Sequence, residues 1–261
     1  MINWNIDYKV IDFHTHMGLE YCLYYPDHDA DSMVKNMDEA NIEFIVSSPC
    51  EDLFDGDSRR QQITDAMKRY PERIKGYYCV NPKLGIDVEE IKRAFKENPG
   101  YVGLKFLPDY HRTALTDDVY APALELANKH KMLVLSHTWG VSMNGESCNS
   151  ADKVIGVLER YPDITFIMGH SIQGQVDDAI AIAKKYPNAY LDLCDTGRLN
   201  GVIEKMVKEI GANKVIFGTD APMQSHFFQM GCVLGAKITE EEKRLILREN
   251  ALRILNTVGR I

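Results

Sequence analysis

Eight short β-branched runs alternate with amphipathic stretches, and this alternation constrains the chain more than any other feature. The strand-like runs are Val10–His14, Glu43–Ser47, Ile74–Val80, Tyr101–Phe106, Met132–His137, Thr165–Gly169, Ala189–Cys194 and Lys214–Gly218. The helical patterns are Asp31–Ala40, Ser58–Arg69, Asp87–Glu97, Asp118–His130, Ala151–Tyr161, Gln175–Tyr186, Gly201–Ile210 and Thr239–Asn250. Ser58 and Asp87 suit helix starts, and Thr239 with Glu242 has capping-box spacing. Tyr70-Pro71, Tyr161-Pro162 and Tyr186-Pro187 are stop signals, because proline disfavours helical geometry in the residue before it. The pattern predicts an α/β fold: a (β/α)8 TIM barrel with residues 1–261 as one domain. The competing open sheet marks its first turn with phosphate-binding glycines. Here strand 1 ends in His14-Thr15-His16, and neither GxGxxG nor GxxxxGK[ST] occurs.

In such barrels chemistry sits at the C-terminal ends of the strands. His14 and His16 end strand 1, His137 ends strand 5, His170 ends strand 6 and Asp220 follows strand 8. Two imidazoles at i and i+2 on a strand share a face. Each residue alone has a structural explanation: a core histidine at His137, a helix cap at His170, a turn cap at Asp220. Five such groups at strand ends are hard to reconcile with packing, because an unpaired buried imidazole or carboxylate is costly. Around one divalent metal they satisfy one another. Zinc suits imidazole plus carboxylate, while iron(II), manganese or cobalt could take the same ligands.

Composition narrows the partners. The formal charge is -8 with no Lys/Arg run, which argues against nucleic acid. No apolar run reaches the ~18 residues of a membrane span. The chain opens Met-Ile-Asn-Trp-Asn without a basic-then-apolar leader. The six cysteines are scattered without a CxxC pair, so a disulfide framework is not expected. A soluble, cytoplasmic protein acting on a small molecule is the expectation. Gly169-His170-Ser171-Ile172-Gln173 is not a GxSxG nucleophile elbow.

The motifs Asp12-Phe13-His14-Thr15-His16, Gly103-Leu104-Lys105-Phe106, Leu135-Ser136-His137-Thr138, Met168-Gly169-His170 and Phe217-Gly218-Thr219-Asp220-Ala221-Pro222 resemble the amidohydrolase superfamily of metal-dependent barrels. The closing Glu249–Leu255 stretch resembles the final helix of the branch that includes aminocarboxymuconate-semialdehyde decarboxylase. The resemblance covers essentially the whole chain. It implies a mononuclear site with His14, His16, His137 and Asp220 as ligands and His170 beside them, either ligating or polarising a substrate carbonyl. Asp220 would also be the general base for the activated water, and homodimers are common among relatives.

Lys105 ends strand 4, where some members of the superfamily carry a carbamylated lysine bridging two metals. Its other readings are an anchor for a substrate carboxylate or an ion pair with Asp109. Tyr110, His111, Arg112 and Trp139 are candidates for the substrate pocket, Val141–Ser150 (with Asn144, Gly145 and Cys148) for a lid, and Tyr21, Tyr24 and Tyr25 for a pocket wall. Cys79 and Cys194 lie in strands and read as structural. The preferred expectation is a metal-dependent hydrolase of a small amide, lactone or related carbonyl compound, with Asp220, His170 and Lys105 catalytic. The alternative is a non-oxidative decarboxylase, for which only Arg112 and Arg198 offer arginines at the mouth. A third possibility is a non-catalytic metal-binding relative, although every ligand position is filled.

Overall fold

The computed structural model describes residues 4–19, 25–53, 60–141 and 147–259. Eight parallel strands form one sheet in chain order: β1 (Val10–Met17), β2 (Ile42–Pro49), β3 (Ile74–Val80), β4 (Tyr101–Phe106), β5 (Leu133–Trp139), β6 (Thr165–Gln173), β7 (Ala189–Asp192) and β8 (Val215–Ile216). The helices are α1 (Ala30–Ala40), α2 (Arg60–Arg69), α3 (Val88–Glu97), α4 (Pro108–His111), α5 (Ala121–Lys129), α6 (Ala151–Arg160), α7 (Val176–Lys185), α8 (Val202–Ile210), α9 (His226–Gly235), α10 (Glu240–Arg244) and α11 (Asn250–Thr257). This is the (β/α)8 barrel the sequence predicts. The chain after β8 nearly closes it against β1: Phe13 N donates to Phe217 O at 3.0 Å, and His16 N to Ala221 O at 2.7 Å.

Local chemistry explains the starts. Asp29 accepts from Asp31 N and Ser32 N at the head of α1, Asp87 caps α3, and Thr239 with Glu242 forms the expected capping box. Ser58 lies outside the described residues. The last predicted helix is divided by a π-turn, Leu245–Glu249, and runs on to Thr257. α9 was not predicted, because two of its buried positions are His226 and Gln229, which a hydrophobic pattern assigns to solvent. No helix among the described residues is long and apolar enough to cross a membrane.

Two apolar layers hold the barrel. One packs the outer faces of the strands against the helices. The other fills the interior with Ile11, Phe13, Val46, Tyr77, Leu133, Leu135, Ile167 and Ile216, closed below by Ala251 and Ile254 of α11. Strict alternation would turn His14 away from the face that Ile11 and Phe13 share. The register of β1 on β2 shifts between Asp12 and Thr15. Past that irregularity both His14 and His16 lie at the mouth of the barrel.

Candidate metal centre

The four histidines read as candidate ligands are buried at this mouth: His14 is 1% exposed, His16 3%, His137 8% and His170 4%. Asp220 Oδ1 lies 3.2 Å from His16 Nε2 and 3.5 Å from His14 Nε2. The ring of His170 sits 5.1 Å from that of His14 and 4.7 Å from that of His137. Two of these residues adopt left-handed backbone, His170 at φ 61° and Asp220 at φ 67°. Such conformations cost of order 1–3 kcal/mol each in a non-glycine residue and persist where the surroundings enforce them.

The surroundings are visible. Asp192, which the sequence reading left unassigned inside strand 7, is fully buried and accepts from His14 Nδ1 at 2.7 Å and from His170 N at 3.1 Å. It therefore sets the His14 tautomer, with Nδ1 protonated and Nε2 carrying the lone pair. Gly218 makes room: a Cβ there would collide with Asp192 Oδ1 and lie 2.7 Å from His14 Cβ. Asp12 is also sealed in, accepting from Thr219 Oγ1 at 2.5 Å and from His226 Nδ1 at 3.0 Å, which ties β1 to the segment after β8. Ser48 Oγ meets His16 Nδ1 at 3.2 Å.

Lys105 is fully buried, and its Nζ donates to His14 Nε2 at 2.6 Å. The ion pair with Asp109 is not formed; Asp109 instead accepts from Cys148 N at 2.8 Å and holds the loop after β5. The ring of Trp139 stacks on His137 at 5.7 Å with 5° between planes, and Tyr110 meets His137 edge-on at 5.1 Å. His111 is buried at the end of α4, while Arg112 beside it is exposed. Arg198 is engaged with Asp195 at 2.8 Å. Tyr25 lines a cavity of about 290 Å³ with Met33, Pro222 and His226. Tyr21, Tyr24, Asn144 and Gly145 lie outside the described residues. Asn149, unremarked in the sequence, accepts from Trp139 N at 2.8 Å and donates to His137 O at 2.9 Å, pinning the end of β5.

Burial, reinforced by the Lys105 ammonium, pushes His14 well below the ordinary imidazole range. Burial does the same to His137 and lowers His170. These rings are neutral, and each keeps one nitrogen lone pair that a metal can use. Burial opposes ionisation of Asp220, yet its contact with the His16 imidazole outweighs it and holds this carboxyl well below its usual range. Burial raises Asp192 to about 6 and lowers Lys105.

Donor atoms of His14, His170, Cys194 and Asp220 lie within 4.8 Å of one another. His170 Nδ1 is buried without a hydrogen-bond partner among the described residues. Neutral imidazoles, an ionised carboxylate and an orphaned nitrogen turned to no protein partner fit a divalent metal. His16 joins this group through Asp220, and His137 through His170.

The sequence matches the amidohydrolase family over residues 11–257. None of the curated proteins matches it. Among solved structures, an uncharacterised TIM-barrel protein from Bordetella bronchiseptica superposes with a TM-score of 0.80 at 18% identity, covering 97% of this chain and 100% of that one. A dihydroxybenzoic acid decarboxylase from a Polaromonas species, solved with manganese and 2-nitroresorcinol, gives 0.72 at 18% identity over 95% and 97% of the two chains. The 5-carboxyvanillate decarboxylase of Sphingomonas paucimobilis gives 0.72 at 12% identity over 95% and 99%. At these identities the likeness is one of fold, whereas the sequence match spans nearly the whole chain: the protein belongs to the amidohydrolase family.

Proposed function

We propose that the protein is a metal-dependent, non-oxidative decarboxylase of a small planar carboxylic acid. The observation that carries this reading is Lys105. Its ammonium is fully buried, its acceptor is His14 Nε2, and no carboxylate of the described residues lies within ion-pair distance. Asp220 and Asp192 favour its charge from a distance, but a buried cation with no carboxylate in contact remains costly and recruits one.

His14, His16, His170 and Asp220, with His137 against them, would hold the metal, and zinc suits this donor set. When bound, the metal supplies a Lewis acid that draws electron density from a substrate oxygen. The single lone pair of His14 Nε2 is then committed, and the Lys105 ammonium needs another acceptor. A substrate carboxylate meets that need with a charge-assisted hydrogen bond. The parallel rings of His137 and Trp139 give a flat wall against which a planar acid stacks.

Asp220 is the acid–base group. Asp12 and Asp192 are sealed, whereas the Asp220 side chain is 14% exposed. It takes a proton from water and hands it to the carbon that bears the carboxylate. The π-electrons of the substrate form the new C–H bond, the C–C bond to the carboxylate then breaks, its electron pair restores the π-system, and carbon dioxide leaves. The hydrolytic expectation uses the same ionised Asp220 on water; the unpaired Lys105 favours the acid substrate. The relatives named for decarboxylating dihydroxybenzoic acid and 5-carboxyvanillate support this reading.

Protein loaded with zinc or manganese should release carbon dioxide from hydroxybenzoic or enol carboxylic acids and leave amides and lactones intact. Lys105→Met should raise KM for the acid about 10- to 100-fold, the loss of one charge-assisted hydrogen bond. Hydrolysis of an amide or lactone without carbon dioxide release from any acid would overturn the proposal.

A further inference from the structure

His226 opens α9, and the metal centre makes no use of it. Its side chain is 5% exposed, and Nδ1 donates to the buried Asp12 carboxylate at 3.0 Å. Nε2 therefore carries the lone pair, and the ring turns it away from Asp12. This nitrogen has no hydrogen-bond partner among the described residues. A buried acceptor left unpaired is costly, so it marks a place for a donor.

His226 lines the cavity of about 290 Å³ that has α1 on one side and residues 221–227 on the other. Met33, Pro222, Met223 and Phe227 give it apolar walls, and Tyr25 adds an aromatic one. Phe227 is itself held by stacking on Trp4, with ring centroids 6.1 Å apart. No lysine or arginine of the described residues lines the cavity, and the exposed Asp27 stands at its rim. These surroundings suit an uncharged ring and disfavour a carboxylate. Ser225, the N-cap of α9, makes no side-chain bond to the first turn, so amides of that turn are open as donors beside the His226 acceptor. A hydroxyl can donate to the ring nitrogen and accept from an amide at once, which an ether oxygen cannot.

We propose that this cavity is a second binding site, for an uncharged phenol. Its identity as a product site rests on the decarboxylase reading above: a hydroxyaryl acid that loses carbon dioxide becomes such a phenol. The acid, held by Lys105, and the ring left behind then have separate sites. Tyr25 and Met223 form a wall common to both. They also belong to the apolar cluster with Leu107 and Tyr110, and Tyr110 meets His137 edge-on.

Resorcinol is the probe, the phenol that a dihydroxybenzoic acid leaves. Isothermal titration of the metal-free protein should show one resorcinol per chain, with affinity unchanged in Lys105→Met. 1,3-Dimethoxybenzene, which has no donor, should bind about 10-fold more weakly, the loss of one neutral hydrogen bond. Asn36 lies half-buried on α1 and donates only to Asp27, at 3.2 Å. Asn36→Trp should fill the cavity from that rim and abolish resorcinol binding. A wild-type crystal soaked in resorcinol should show a hydroxyl against His226 Nε2, a readout that stands even if Asn36→Trp fails to fold. No binding, or equal binding of dimethoxybenzene, would overturn the proposal. Binding that is lost in Lys105→Met and kept in Asn36→Trp would put the phenol in the substrate pocket, overturning the second site and leaving the decarboxylase standing. Resorcinol at His226 without carbon dioxide release from any acid would support the site and overturn the decarboxylase reading alone.

Discussion

Asp192 shows how much one residue decides. It holds the Nδ1 side of His14 and the backbone of His170 together, so it orients two members of the centre without facing substrate. Asp192→Asn keeps the shape but weakens the acceptor that fixes the His14 tautomer. Metal affinity should fall about 10- to 100-fold, as measured by competition with a metal buffer. The imidazoles were legible from the sequence because His14, His16, His137 and His170 each end a β-like run. Asp192 was not. It reads as one more polar residue inside a strand, and only the proximity of β6, β7 and β1 at the mouth gives it partners. The sequence reading put Cys194 in a strand, whereas the structure places it in the turn after β7, buried beside the same centre.

Among the elements, the closing helix shows a second kind of support. Asn250, at the start of α11, is fully buried and donates through Nδ2 to Ala212 O and Val215 O, both at 2.8 Å. It thereby secures the entry to β8, the shortest strand and the one that delivers Asp220. Asn250→Ala removes two buried hydrogen bonds and should cost about 1–3 kcal/mol, read from urea unfolding midpoints at unchanged m-value. The resemblance marked the Glu249–Leu255 stretch, but the reason for an asparagine there comes from the packing of α11 under the barrel. Helix starts were predicted well where a local cap exists, as at Asp87 and Thr239, because a cap acts within one turn. α9 escaped because its buried face carries His226, whose partner Asp12 lies 214 residues away in sequence.

For the whole molecule, the neutral histidine cluster makes the metal-free protein acid-labile. Burial lowers His14, His137 and His170 from the ordinary 6.5, so below that pH the unfolded chain binds protons that the fold does not. Stability then rises with pH through this range and is lost as pH falls. Asp192 opposes the trend: with its carboxyl raised to about 6, the fold holds a proton that the unfolded chain releases above 3.8. Asp12, raised by its burial, opposes it as well, and the three imidazoles set the sign: a net uptake of protons on unfolding. The Tm of metal-free protein should therefore fall between pH 7 and 5.5. A metal present at about 1,000 times its Kd should add about 4 kcal/mol and raise the Tm at neutral pH. A Tm that is flat over this pH range would mean that the histidines are not held neutral by the fold.

Periodicity in the sequence by itself determined the barrel, because eight alternations of strand and helix leave few right-handed ways to close. It also determined that five ionisable groups stand at the ends of strands, since strand ends are marked locally by turn residues. Only the tertiary structure decided which of them meet. The shift in β1 register turns His14 inward, left-handed backbone aims His170 and Asp220, and the arrival of β7 brings Asp192 and Cys194 beside them. Those contacts join residues far apart in the chain, and their geometry is set by the closed barrel rather than by any local pattern.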